Sequence, residues 1–138
     1  MAIDYGDART GIAISDASAS IVGDVRVIKE TTLSSVASAI SEEAKQRDVT
    51  TIVVGHPVNM NGSIGPRAEK SGQLAELIRE KVNVSVVLWD ERMTTMSASR
   101  ILSDTGKYGK KRKNIIDAVA ASLILESYLR SLRIQSQD

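Results

Sequence analysis

The sequence predicts a three-layer α/β domain, a mixed five-stranded sheet with helices on both faces. Three observations carry this. The first thirty residues hold three short strand-like runs and no helical periodicity. Two later runs, TTIVVG (Thr50–Gly55) and VSVVLW (Val84–Trp89), are continuous and apolar, the mark of strands buried on both faces. Each is followed or preceded by stretches with apolar residues at three- and four-residue spacing. Helical crossovers imply parallel pairing, whereas the first three runs can pair as an antiparallel meander.

In chain order, Ala2–Ile3 and Ile12–Ile14 flank a polar insert carrying Gly6 and Gly11, which reads as strand, tight turn, strand. Val25, Val27 and Ile28 suggest a third strand over Asp24–Lys29. Thr31 or Thr32 can cap a helix over Leu33–Arg47, in which Leu33, Val36, Ala37, Ile40 and Ala44 form one stripe. His56–Gly65 is rich in Gly, Asn and Pro and reads as loop. Pro66 suits the first turn of a second helix, with Ala68, Leu74, Leu77 and Ile78 facing inward. After VSVVLW, Thr94 or Thr95 can cap a further helix reaching Ser103. Asp104–Asn114 reads as a glycine-broken basic loop. A final helix over Asn114–Leu132 turns Ile116, Val119, Ala120, Leu123 and Ile124 inward. No repeat or linker interrupts the chain, so residues 1–138 are read as one domain.

Composition narrows the chemistry. Hydrophobic residues make up 42%, enough for a core, but aromatics only 3%, so base stacking on aromatic platforms is not the expected binding mode. The absence of Cys removes disulfides, thiolate nucleophiles and zinc–thiolate sites. A single histidine, His56, argues against Ser-His-Asp catalysis and multi-histidine metal sites. The net charge of +1 gives no bulk attraction to nucleic acid, so only a clustered patch could supply it. With no apolar run of spanning length and no signal-peptide pattern, the expectation is a soluble cytoplasmic protein with no membrane partner.

The carboxylates at predicted strand ends carry the functional argument. Asp4 closes the first strand, and Asp90 and Glu91 close the last. If those strands run parallel, both ends meet at one edge, where ligand sites of α/β sheets lie. Asp117, near the start of the final helix, borders its apolar stripe. An acid in such a place must cap, pair or bind a cation. By itself Asp4 could equally cap a turn, and Asp117 could serve the helix dipole. Several acids at one edge without His or Cys suit Mg²⁺ or Mn²⁺, ions that serve phosphoryl transfer. Adjacent strand residues face opposite ways, so one of Asp90 and Glu91 can aim at the ion. Glu91 is preferred for its longer reach, with Asp90 as second choice.

Two further stretches suit phosphate. GHPVNMNGSIG (Gly55–Gly65) offers His56, Asn59 and Asn61, with Arg67 just beyond, as a cradle at a helix N-terminus, although an ordinary crossover loop would look the same. It lacks the Gly-Lys-Ser/Thr ending of a nucleotide P-loop. KYGKKRK (Lys107–Lys113) leads into the helix bearing Asp117, so Lys110, Lys111 and Arg112 would hold phosphates without reading sequence. Arg9 and Arg92, beside the candidate acids, complete the substrate contacts expected.

Asp4–Gly11 (DYGDARTG) with Ser15–Asp16, Gly55–Pro57 with Asn59–Gly62, Asp90–Thr95 (DERMTT) and Ile116–Ala121 (IDAVAA) resemble, in order and over nearly the whole chain, the YqgF family. That family is also called the RuvX or Holliday-junction-resolvase-like family, whose members are assigned as nucleases of small-subunit ribosomal RNA precursors. The resemblance implies a ribonuclease H-like fold, a divalent-metal nuclease and a role in ribosome maturation, at the 5′ end of the 16S precursor. It carries Asp4, one acid of Asp90–Glu91, and Asp117 over as the metal-binding acids. Junction resolvases of the wider fold have an acid at the end of the fourth strand, where this chain has Gly55–His56. The acids after Trp89 are the candidates to replace it.

The leading expectation is therefore a phosphodiesterase acting on RNA, as monomer or weak homodimer. A structure-selective endonuclease for DNA junctions, a non-catalytic RNA-binding factor of ribosome assembly and an actin-like nucleotide hydrolase compete with it. The last needs two lobes that 138 residues do not provide.

Overall fold

The computed structural model describes residues 1–16, 22–93 and 110–136, the backbone alone for 110–117 and 136. Five strands form one sheet: β1 (Ala2–Asp4), β2 (Thr10–Ser15), β3 (Val22–Ile28), β4 (Thr51–His56) and β5 (Ser85–Asp90), in the order β3-β2-β1-β4-β5. The first three pair antiparallel, and β1, β4 and β5 run parallel. Helices α1 (Leu33–Gln46) and α2 (Pro66–Lys81) are the two crossovers, and α3 (Lys110–Ser136) closes the described chain.

Strand alternation divides the core in two. Ile3, Ile12, Ile14, Ile52 and Val54 pack with Val36, Ile40, Leu74 and Ile78 of α1 and α2. Ala2, Ala13 and Val53 face the other way, against Ala121, Ile124, Leu125 and Leu129 of α3. The alanines on that second face let one helix approach and cover it.

Local signals explain most boundaries. Thr32 caps α1 by accepting from the Ser35 amide at 3.1 Å, and the Ser35 hydroxyl accepts from the Thr32 amide, a reciprocal box. Gly6 in the β1–β2 turn is obligatory in kind, because a Cβ there would stand 2.5 Å from the Arg9 carbonyl.

Three expectations need correction. VSVVLW is not buried on both faces: among the described residues β5 is an outer strand, paired with β4 alone, and its residues are exposed or half-buried. His56 belongs to β4 rather than the loop, since pairing with Asp90 extends the ladder by one residue. Lys110–Asn114 is helical, not loop: beyond Gly109 nothing breaks a helix, and Lys and Arg are good helix formers. The helix expected from Thr94 or Thr95 to Ser103 and the loop through Gly109 lie outside the described residues.

Candidate metal centre and nucleic-acid interface

Parallel pairing brings the C-terminal ends of β1, β4 and β5 to one edge. Asp4 ends β1 there and is 5% exposed, on a strand paired on both sides. Arg67, in the first turn of α2, reaches over the strand end: Nη2 donates to the Tyr5 carbonyl at 3.2 Å and lies 3.8 Å from Asp4 Oδ1.

Asp90 and Glu91 part company at the end of β5. Asp90 is gripped by Arg92, whose Nε and Nη2 donate to its two oxygens at 2.7 to 3.1 Å and whose amide donates to Oδ1 at 2.9 Å. This bidentate hold, together with nearby His56, keeps the Asp90 carboxyl below its ordinary range and raises the Arg92 guanidinium. Arg92 Nη1 also donates to the Met60 carbonyl at 3.3 Å, tying the loop after β4 to the end of β5. Glu91 opens a single 3-10 turn, Glu91–Met93, and its side chain folds back across β4. Its Oε2 stands 3.1 Å from where a Cβ on Gly55 would be. The β1–β4 register runs Ala2 to Val53 and Ile3 to Val54, so the next step sets Asp4 beside Gly55. The Glu91 carboxylate thus lies over the strand adjoining Asp4.

Asp117 occupies the α3 position four residues before Ala121 and seven before Ile124, both buried against the sheet. Its side chain, like those of Lys110, Lys111 and Arg112 in the first turn of α3, lies outside the described residues. Among the described residues no three His, Asp or Glu side chains gather closely enough to hold a metal. Asp4 and Glu91 offer hard carboxylate oxygens, and the Glu91 carboxylate occupies a hollow left by a missing Cβ, a donor set suited to Mg²⁺ or Mn²⁺.

The expected phosphate contacts fall around this edge in different states. Arg9 is half-buried in the β1–β2 turn, and His56 is half-buried opposite Asp90. Asn59 and Asn61 are exposed but serve their own loop. Asn59 Nδ2 donates to Ser63 Oγ at 2.9 Å, Asn61 Oδ1 accepts from the Ser63 amide at 3.0 Å, and Gly62 takes a positive φ of 87°. Arg67 and Arg92 are exposed beside the acids.

Three contacts escaped sequence reasoning. The Trp89 indole donates to Ser127 Oγ at 3.2 Å, and the Ser127 hydroxyl donates to the Met93 carbonyl at 3.0 Å, pinning the Glu91 turn to α3. Lys70 donates to Asp7 at 2.9 Å, lowering that carboxyl and raising the ammonium, and joins the β1–β2 turn to α2. Gly55 is the third. The lone Trp was a visible signal, but Ser127 and Lys70 carried none.

A mixed sheet with this strand order, helices on both faces and carboxylates at the parallel edge defines a ribonuclease H-like domain. The fold matches RuvC of Thermus thermophilus in complex with a Holliday junction substrate (TM-score 0.57, 15% identity, 94% of this chain and 92% of that one) and a second RuvC structure from that organism (TM-score 0.53, 12% identity, 94% and 93%). The family model described as "RuvX: Holliday junction resolvase" matches residues 1–131, and the chain belongs to that family. Relatives include proteins named as candidate pre-16S rRNA nucleases from Caldanaerobacter subterraneus subsp. tengcongensis (43% identical, 95% of each chain) and Bacillus thuringiensis (44% identical, 95% of this chain and 97% of that one).

Proposed function

We propose that this protein is a divalent-metal-dependent nuclease, cutting phosphodiester bonds of structured nucleic acid endo- or exonucleolytically in the cytoplasm. Its leading substrate is the 5′ end of the small-subunit (16S) ribosomal RNA precursor. One observation carries the reading: Asp4, which ends β1, and Glu91, in the turn after β5, bring their carboxylates to adjacent strands of one sheet edge. Family membership supports the hydrolase class, and the names of the relatives support the RNA substrate.

Asp4, Glu91 and Asp117 would hold Mg²⁺ or Mn²⁺, with Asp90 left to Arg92. Bound there, the ion supplies Lewis-acid stabilisation of charge in phosphoryl transfer. The chain's own groups do the rest. Arg67 and Arg92 set positive charge on both sides of the acids, where a phosphate oxygen would approach. Lys110, Lys111 and Arg112 supply backbone affinity. Arg9 and His56 flank the same edge, and Asn59 and Asn61 shape the loop that borders it.

A second reading, a DNA-junction endonuclease, is favoured by the family's description and by the RuvC likeness in fold, and it would require a dimer to cut two strands. Labelled precursor RNA and four-way junction DNA, incubated with Mg²⁺ or Mn²⁺ against an Asp4→Asn control, decide between them. Cleavage of RNA alone supports the leading reading. Paired cuts in the junction alone support the second. Binding without cleavage of either would reduce the protein to an assembly factor.

A further inference from the structure

We propose that Gly55 is a positioning residue, whose missing side chain forms the socket holding the Glu91 carboxylate beside Asp4. The inference deepens the metal-site reading above and rests on it.

Asp4 ends β1 and Glu91 follows β5, strands that are not neighbours, since β4 runs between them. Two strand spacings, roughly 10 Å, separate their backbones. A carboxylate leaving the end of β5 can approach Asp4 only by lying across β4, and the β4 residue it must cross is Gly55, paired with Trp89. Gly55 is itself buried. A Cβ built there would lie 3.1 Å from Glu91 Oε2, 3.2 Å from Glu91 Cδ and 2.6 Å from Ile124 Cδ1. Its φ is not in the left-handed region, so backbone conformation does not demand glycine at this position. Space does. The hollow is shared by two occupants, the acid and the α3 side chain that roofs it.

The turn carrying Glu91 is fastened from both sides, by Arg92 through Asp90 and Met60, and by Ser127 through Trp89 and Met93. Held this way, the turn cannot simply lift to accommodate a methyl group. Alanine at 55 would displace the carboxylate, the Ile124 methyl, or both. Ile124 can be trimmed independently, which separates the packing consequence from the effect on the acid.

The test is Mn²⁺ binding by calorimetry together with thermal unfolding without metal, in Gly55→Ala/Ile124→Val against Ile124→Val alone. Gly72→Ala is the control, a glycine in α2 with nothing within 4 Å of an added Cβ. The expected result is a melting temperature for the pair close to that of Ile124→Val, with Mn²⁺ affinity lower by about 10- to 100-fold, the loss common when groups orienting metal ligands are changed. Gly72→Ala should bind as wild type does. Unchanged affinity in the pair, with wild type and Ile124→Val binding normally and Asp4→Asn not binding, would overturn the socket and leave the metal site standing. No Mn²⁺ binding by wild type would overturn both. A second measurement covers poor folding of Gly55→Ala: adding Glu91→Ala should restore part of its lost melting temperature, because the crowding carboxylate is gone. No restoration would show that Glu91 does not occupy the hollow.

Discussion

Asp4 shows what the site asks of one residue. Its carboxylate is nearly buried, with a second acid over the adjoining strand and, 3.8 Å away, the guanidinium of an Arg67 side chain that is 61% exposed. Attraction to so exposed a partner is worth little, while gathering like charges without a cation raises the energy of the fold. Asp4→Asn should therefore abolish cleavage yet leave the melting temperature unchanged or higher, read by calorimetry beside the nuclease assay. A large loss of stability would instead make Asp4 a structural acid. Asp4 was legible because a charged residue directly after an apolar run marks a strand end. Reach alone favours Glu91 over Asp90 in the sequence; what the letters could not show is that Arg92, two residues on, grips Asp90.

At the scale of elements, the turn after β5 depends on contacts made far along the chain. Arg92 joins it to the loop of Met60, and Ser127 joins it to α3. The Asp90–Arg92 clamp also carries a pH dependence. Because the folded carboxyl lies below its ordinary value, its contribution is complete above the ordinary carboxylate value of about 4 and is lost as pH falls from there through the lowered folded value. Arg92→Ala should lower stability only slightly at pH 7, as expected of a solvent-exposed pair. The melting-temperature difference from wild type should shrink progressively as pH falls below about 4. A difference that stayed constant over that range would show that the guanidinium acts through packing. Helix periods and turn residues suffice to place α1, α2 and the β1–β2 hairpin. They do not reveal β5 as an outer strand, because an apolar run does not say how many neighbours its strand will have.

For the whole molecule, a net charge of +1 leaves substrate affinity to local patches. Lys110, Lys111 and Arg112 open α3, where cations oppose the helix dipole, so their placement does not favour the helix. Replacing all three by Ala should weaken RNA and DNA binding alike. The slope of log affinity against log salt should shrink by roughly 0.7 to 0.9 for each phosphate that is no longer neutralised. The same variant should melt no lower than wild type, and its turnover at saturating substrate should change little, since Asp4, Glu91 and Asp117 remain. Binding as tight as wild type with the same slope would reduce the patch to a solvated charge run.

By itself the sequence determined the element types, the parallel crossovers and the edge at which Asp4 and Glu91 emerge. These follow from periodicity, from Gly, Pro and Thr at the boundaries, and from the rule that strands joined through helices run parallel. The tertiary structure alone decided the strand order, and with it that β4 stands between the two acids. It also decided that Gly55 leaves the hollow for Glu91 and that Ser127 and Arg92 fasten the turn. The physical reason is that such contacts join residues from about 30 to nearly 40 positions apart. Local propensity acts over a few residues, whereas the space above a strand is set by what the rest of the chain packs against it.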